Sequence, residues 1–189
     1  MGFLDALLGR TKPKKAELDA LFALSGAAVT LETAAGLRSA GAAAVCFKPA
    51  SGQVFADIRT ELDELLRLSV EQSGSTFELV EDSYGYDWVV LRDPDVEDLV
   101  TTVHLVNATL SDSGFGHQLL ASVFAFAGAK GPTFLVYGYK RGAFYPFVPA
   151  DGEHRDNQSE LRLRGILEGE IPIEADLSRW YPIWGVPIP

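Results

Sequence analysis

Apolar side chains recur every three or four residues in two long segments of the chain. The first segment carries Phe55, Ile58, Leu62, Leu65 and Leu66, and the second carries Val96, Leu99, Val100, Val103, Val106 and Leu110. Charged and polar residues fill the positions between them, as on a helix with one buried face. The pattern predicts helices over residues 55–68 and 96–110. Asp93 and Pro94, just before the second helix, are typical of a cap and a first turn.

Shorter segments either alternate between apolar and polar residues or are apolar throughout, and they predict strands. These segments are 27–33, 41–47, 76–81, 86–92, 118–127, 133–140 and 144–148. Tyr84 and Gly85 separate two of them and indicate a hairpin turn. Residues 118–127 also fit a helix, and the pattern alone does not decide between the two.

Two shorter helices, at residues 17–24 and 158–167, complete the predicted elements. The second has Asp156 or Asn157 as its cap and ends at Gly169. Helices interrupt the strand pairs, and a regular alternation of strand and helix is missing. This order predicts an α+β fold: a single domain with a mainly antiparallel sheet flanked by helices.

The chain divides by composition into three parts. Residues 1–15 are amphipathic and basic, residues 16–169 contain the predicted α+β domain, and residues 170–189 are rich in proline and aromatic residues. Proline removes backbone donors and fixes the backbone, so we expect no regular structure in the third part. An exposed tail of this composition would favour aggregation, and we therefore expect it to pack on the domain.

Residues 1–15 differ in charge from the rest of the protein. Four basic residues stand against Asp5 alone, which gives this segment +3 in a protein of net charge −10 and leaves −13 on the remainder. The predicted contact residues are the apolar stripe Phe3, Leu4, Leu7 and Leu8 and the bases Arg10, Lys12, Lys14 and Lys15. Such a segment is typical of attachment to an anionic membrane surface. It also fits a frayed first helix, or a helix that contacts a protein partner or a second copy.

The overall composition excludes some classes of function and location. A sequence pI of about 4.7 argues against binding nucleic acid, which needs a basic face. The one cysteine, Cys46, lies in an apolar run and is expected to be a buried, unreactive thiol in a reducing compartment. Neither a signal peptide nor a membrane-spanning run is recognisable. We expect a cytoplasmic protein, held peripherally on the inner face of the plasma membrane by residues 1–15.

The sequence carries no catalytic signature that we recognise, so neither an enzyme, nor a cofactor, nor a metal is expected. The three histidines are far apart, and the acidic residues 93–98 are explained by the start of a helix. Residues 128–133 lack the order of a phosphate-binding loop. The alternative is an enzyme or small-ligand binder with an aromatic pocket near Trp88, Tyr139 and Tyr145.

Aromatic residues cluster in the C-terminal third and give a second candidate contact surface. Its predicted members are Tyr139, Arg141, Tyr145, Phe147, Trp180, Tyr181 and Trp184. One interpretation is that these side chains pack the tail onto the sheet. The other is that they grip a protein partner. Both hold if part of the packed surface remains open as a groove.

Five segments of the chain resemble the PspA-associated protein PspAB family, found mainly in actinobacteria. They are Met-Gly-Phe-Leu-Asp-Ala-Leu-Leu-Gly-Arg at 1–10, Ala-Ala-Val-Cys-Phe-Lys at 43–48, Tyr-Gly-Tyr-Lys-Arg-Gly-Ala-Phe-Tyr-Pro-Phe at 137–147, Arg-Asp-Asn at 155–157 and Asp-Leu-Ser-Arg-Trp-Tyr-Pro-Ile-Trp-Gly at 176–185. The resemblance implies a part in the phage-shock, membrane-stress system around PspA, with PspA-like protein partners. It implies no catalytic residues. The expected function is therefore a non-enzymatic, protein-binding adaptor of unspecified oligomeric state.

A second, architectural likeness is to the small α+β domains of secretion-chaperone and YbjN-like proteins, which bind polypeptides. It rests on the order of the elements and on the strand at Tyr86-Asp-Trp-Val-Val90 followed by a helix. This likeness is an analogy of fold and implies no site residues.

Overall fold

The computed structural model describes residues 18–49, 60, 62–68 and 74–189. The strands of its main sheet are β1 Arg38–Phe47, β2 Thr76–Glu81, β3 Asp87–Arg92, β4 Leu119–Gly128, β5 Gly131–Gly138 and β6 Ala143–Phe147. Their order is β2-β3-β1-β4-β5-β6, with every neighbouring pair antiparallel. The short strands β7 Pro149–Ala150 and β8 His154–Arg155 form a separate antiparallel pair.

Four helices accompany the sheet in the described part of the chain. They are α1 Ala23–Thr30, α2 at residues 62–68, α3 Val96–Asp112 and α4 Asn157–Leu167. A 3-10 turn, Leu18–Phe22, precedes α1, and wider π-type turns, Leu31–Ala35, continue it. These elements confirm the predicted α+β domain with an antiparallel sheet. They confirm the helix predicted at 55–68 only for residues 60 and 62–68, since the rest lies outside the described residues.

Alternation along the strands divides the sheet between two apolar layers. On one face, Val45, Phe124 and Leu135 pack beneath the helices, with buried side chains of all four helices in the same cluster. On the other face, Ala44 and Val123 belong to a second cluster, which contains residues of the C-terminal tail. The sheet is therefore covered on both faces, by helices on one side and by the tail on the other.

Residues 27–33 are helical, and the prediction of a strand there is wrong. They lie in α1 and in the π-type turns that follow it. The buried side chains Leu24, Ala27 and Leu31 are three and four residues apart, which is the spacing of one helix face. Val29, which would share a strand face with Leu31, is 64% exposed.

Asp95, rather than the predicted Asp93, caps helix α3. Its carboxylate accepts a hydrogen bond from the N–H of Glu97 at 2.8 Å. Asp93 accepts one from the N–H of Asp95 at 2.7 Å and another from the hydroxyl of Ser75. Asp93 thus joins the end of β3 to the start of α3, and the helix begins after Pro94 at Val96.

A bulge in β1 lets this strand pack against the junction between β3 and α3. The register of β1 against β4 shifts between Ser39 and Ala43, and Gly41 between them has φ of +68°. A Cβ at Gly41 would lie 3.1 Å from the carbonyl oxygen of Asp93, so both the backbone conformation and the contact require glycine.

The hairpin predicted around Tyr84 and Gly85 is confirmed, because β2 pairs with β3 across that turn. The three strands predicted between residues 118 and 148 are confirmed as β4, β5 and β6, which decides residues 118–127 in favour of a strand. The last helix is α4, and its cap is Asp156, whose carboxylate accepts from the N–H of Ser159 at 3.0 Å.

Candidate functional site

The predicted membrane or partner contact at the N-terminus lies outside the residues that the structure describes. Its members are Phe3, Leu4, Leu7, Leu8, Arg10, Lys12, Lys14 and Lys15, and the described chain begins at Leu18. This contact stays a prediction from the sequence.

The tail forms a strap, defined as residues 175–189, across the sheet face opposite the helices. The ring of Trp180 stacks on Tyr145 with centroids 6.2 Å apart and planes at 20°. The ring of Trp184 meets Phe147 edge-on at 4.9 Å and 74°. Trp180, Tyr145 and Phe147 are buried, and so is Ile188 near the end of the strap. Four aromatic members of the predicted surface therefore pack against one another.

Arg155, beside β6, fastens the strap and α4 to the sheet. Its Nη1 donates to the carbonyl of Trp180, and its Nε donates to Oε1 of Glu160 at 3.0 Å. The same carboxylate oxygen accepts the backbone N–H of Val148 at 2.9 Å. The guanidinium carbon lies 5.3 Å from the centroid of the Phe147 ring, in reach of a cation–π contact. The sequence analysis missed this arrangement, because a pair that joins the end of a strand to the first turn of a helix has no periodic signal.

Two members of the predicted surface are exposed, at the outer side of the strap and its neighbouring turn. Tyr181 is 65% exposed, and Arg141 is exposed with its Nε 3.7 Å from Glu174. Leu177 is also exposed on the strap and was not predicted. Hydrogen bonds from Ser178 lower the pKa of Asp176 within the same turn. The surface open to a partner is thus smaller than the predicted aromatic set.

Tyr139 lies on the helix-covered face, away from the strap. Its hydroxyl bonds the hydroxyl of Ser122, and Asn107 of α3 donates to Ser122 at 3.4 Å. All three are buried. Burial raises the pKa of the Tyr139 phenol well above its ordinary value, against the opposing effect of the Ser122 hydrogen bond.

The predicted aromatic pocket is not formed, because its three residues lie on different faces of the sheet. Trp88 and Tyr145 belong to the strap-covered cluster, whereas Tyr139 belongs to the cluster under the helices. A shallow cleft of about 170 Å³ lies elsewhere, between the end of α4 and the tail. It is lined by Arg164, Glu168, Gly169, Ile171, Ile173 and Ala175.

Trp88 takes part in closing the β2–β3 hairpin. Its indole Nε1 donates to the carboxylate of Asp82 at 2.8 Å, and the N–H groups of Tyr84 and Tyr86 donate to the other carboxylate oxygen. Partial burial acts to raise the pKa of Asp82, but these hydrogen bonds outweigh it, and the pKa is lowered overall. Asp82 thus serves the turn as a hydrogen-bond acceptor.

Cys46 lies on the strap-covered face and is buried, as the sequence predicts. Burial, together with the negative charges of Asp82 and Asp87, raises the pKa of its thiol to about 12. A thiol in this state is a weak nucleophile at neutral pH.

Metal-binding and membrane-spanning features are absent from the described residues. Within them, no group of three or more His, Cys, Asp or Glu side chains is placed to hold a metal ion. The ring of His104 packs against the ring of Phe22, with the two centroids 4.9 Å apart. None of the helices described is long and apolar enough to cross a membrane.

Comparison with protein-family models matches residues 1–188 to the PspAB family, described as PspA associated protein B. The match includes both the N-terminal segment and all but the last residue of the strap. No curated protein and no solved structure is significantly similar to the chain, so the likeness to secretion-chaperone and YbjN-like domains stays a prediction. The family description connects its members with PspA. Because the match covers essentially the whole chain, this protein belongs to the PspAB family.

Proposed function

We propose that this protein is a non-enzymatic adaptor that binds protein partners in a PspA-associated membrane-stress, or phage-shock, system. The observation that carries the proposal is the family match over residues 1–188, together with the association with PspA in the family's description. The matched range includes the N-terminal segment and most of the strap. The proposed partner is therefore a PspA-like protein, bound by the chain as a whole.

The local roles of the perturbed carboxylates support a scaffold function. The pKa of Asp156 is lowered, first by the hydroxyl and N–H of Ser159, because Asp156 caps α4. The lowered pKa values of Asp82 and Asp176 arise from turns that these residues close. Each of these charges stabilises a turn or a helix end and so has a structural role in the domain that would present the partner contact.

Peripheral attachment to the inner face of the plasma membrane is the second part of the proposal. Each base near an anionic surface contributes about 1 kcal/mol at most, and salt screens that attraction. The remaining −13 of charge would be repelled by the same headgroups. Residues 1–15 would therefore attach the protein weakly and reversibly, with the domain held away from the surface.

The partner proposal is tested by affinity capture from the native cell. The full chain is compared with a variant carrying Leu4→Asp and Leu7→Asp, and with Lys130→Gln as a control that removes an exposed base from the domain. A PspA-like protein should be captured by the full chain and by the control. If neither captures one, the adaptor proposal is wrong. If the Leu variant alone fails, residues 1–15 form part of the protein contact.

The membrane proposal is tested separately by co-sedimentation with vesicles. Anionic vesicles should retain the full chain and Lys130→Gln, whereas neutral vesicles and the Leu4→Asp, Leu7→Asp variant should show little binding. Added salt should weaken the retention. Equal retention of both chains on anionic vesicles, or none of either, would rule out attachment through residues 1–15.

A further inference from the structure

The C-terminal tail is held in two different ways on either side of residue 174. The N–H of Phe144 donates to the carbonyl of Pro172 at 2.7 Å, and the N–H of Glu174 donates to the carbonyl of Phe144 at 2.8 Å. Residues 172–174 are therefore bonded through their backbone to the edge of β6. In the described chain, three hydrogen bonds join the strap to what precedes it. Arg155 donates to the carbonyl of Trp180, the indole Nε1 of Trp180 donates to the carbonyl of Glu174 at 2.9 Å, and the N–H of Asp176 donates to Oε1 of Glu174 at 3.0 Å. Apolar side chains provide the rest of its attachment.

The sheet face beneath the strap carries both small and large apolar side chains. The central strands contribute small side chains, Ala42 and Ala44 on β1 and Ala125 on β4. Large side chains, Trp88 on β3 and Tyr145 on β6, lie toward the sides of the same face. The ring contacts of the strap are made at the β6 side of this face, by Trp180 with Tyr145 and by Trp184 with Phe147.

The backbone of the strap is suited to leaving and re-entering this face. Pro182, Pro187 and Pro189 have no N–H, and the strap belongs to none of the strands of the described chain, so no strand pairing is broken when it leaves. Removing it from the face requires the release of the Arg155 hydrogen bond, of the hydrogen bond from the Trp180 indole to the carbonyl of Glu174, and of buried side chains such as Ile188. The backbone bonds at residues 172–174 can stay in place, which puts the hinge directly after Glu174.

We propose that the strap also binds in trans, with the strap of one copy covering the same face of a second copy. The occupant is specified by the structure itself, because the only segment seen on this face among the described residues is the strap, and an identical segment makes identical contacts. The first buried anchor of the strap, Trp180, follows Glu174 by six residues, which reach up to about 20 Å, so the two domains of the exchanged pair must lie side by side. Reciprocal exchange closes a symmetric dimer without a new interface. This inference goes beyond the proposed association with PspA and does not depend on it.

The test uses the full chain and a labelled synthetic peptide of residues 175–189. Light scattering over a range of concentrations measures dimer formation, and fluorescence anisotropy measures peptide binding. Peptides with Trp180→Ala and Tyr181→Ala form a matched pair, since Trp180 is buried and Tyr181 is exposed. A full-length Ile188→Ala chain, with a weakened strap of its own, is the more open receptor. Trp184→Ala, at a half-buried position, replaces it if Ile188→Ala does not fold.

Strap exchange predicts a dimer that increases with concentration and a saturable binding of the peptide. The Ile188→Ala chain should bind the peptide more tightly than the unaltered chain. The Trp180→Ala peptide should bind at least about tenfold more weakly than the unaltered peptide, as expected for a buried aromatic anchor, and the Tyr181→Ala peptide about equally.

Three outcomes would overturn the proposal. The first is an absence of peptide binding to both the unaltered chain and the weakened chain. The second is equal binding of the Trp180→Ala and unaltered peptides, which would mean non-specific adhesion. The third is peptide binding by a chain that stays monomeric at every concentration. In that case the face accepts a strap-like segment in trans, but the segment belongs to another protein rather than to a second copy.

Discussion

Replacing Arg155 with methionine tests whether a buried ion pair holds α4 and the strap on the sheet. The side chains of Arg155 and Glu160 are 18% and 3% exposed, and Nε and Oε1 are 3.0 Å apart. Methionine keeps much of the volume and the contact with Phe147, but it leaves the Glu160 carboxylate buried without its cation. The carbonyl of Trp180 also loses its donor.

The expected loss of stability is large because Arg155→Met leaves the buried charge of Glu160 without a partner. Removing one partner of a buried pair costs about 3–5 kcal/mol. Arg155→Met should lower the free energy of unfolding by that amount. The double variant Arg155→Met, Glu160→Gln should recover most of the loss, because glutamine removes the buried charge and can still accept the N–H of Val148.

The pair formed by Arg38 and Glu32 is a control with almost the same geometry. Nε and Oε1 are 2.8 Å apart, but the side chains are 78% and 52% exposed. Water screens such a pair, and its contribution is at most about 1 kcal/mol. Arg38→Met therefore makes the same substitution at a similar distance in an exposed ion pair.

Urea unfolding followed by circular dichroism gives the free energies. Tryptophan fluorescence, to which Trp88, Trp180 and Trp184 all contribute, reports whether tryptophan side chains enter water. The slope of the free energy against urea should be unchanged if only stability is altered. Two results would refute the reasoning. One is a loss at Arg155→Met no larger than that at Arg38→Met. The other is a double variant that is no more stable than Arg155→Met alone.

Three further predictions concern the core, the thiol and a helix cap. Tyr139→Phe removes the buried hydroxyl that bonds to Ser122. It should lower the free energy of unfolding, measured by urea denaturation, by about 1–2 kcal/mol. Burial raises the pKa of the Cys46 thiol from 9.0 to about 12. As the pH rises, the unfolded chain therefore loses the thiol proton at a lower pH than the folded chain does. Stability should fall as the pH rises through that window, and Cys46→Ala should make the fall shallower in unfolding measured at several pH values. Asp95→Ala should cost about 1 kcal/mol of thermal or urea stability through the lost cap, whereas Asp112→Ala, at the opposite helix end, should cost none.

The elements predicted correctly are those in which the apolar positions of the sequence are also the buried positions of the structure. In α3 the apolar positions Val100, Val103 and Val106 are all buried on one face. The spacing of apolar residues in the sequence therefore matches the spacing of buried residues in the helix. Strands β4 and β5 are apolar on both faces, and the turn at 129–130 separates them; for β4 the apolar run also fits a helix, and it is the structure that decides in favour of a strand. Helix α1 lacks such a signal, because alanine marks part of its buried face and packing with neighbours stabilises it.

The candidate surface was less predictable because it depends on which face of the sheet each aromatic side chain occupies. Tyr139 and Tyr145 are six residues apart, but a turn lies between them and they end on opposite faces. The pair of Arg155 and Glu160 requires β8 and α4 to meet at a particular angle, which no spacing in the sequence specifies. Composition indicated that the tail is apolar, but only the structure shows which of its side chains remain exposed.

The two proposed contacts can be separated experimentally because they use different parts of the chain. Among the described residues, the buried cluster under the strap begins at Ala42, and the substitutions proposed for the membrane test lie within residues 1–15, outside the described part of the chain. Changes at sites that share no contacts should have additive effects on binding. Combining Leu4→Asp with Ile188→Ala should therefore give the sum of the two separate effects on vesicle retention and on peptide affinity. A larger or smaller combined effect would mean that attachment at the N-terminus changes the occupancy of the strap face, so that membrane contact and self-association form one coupled equilibrium.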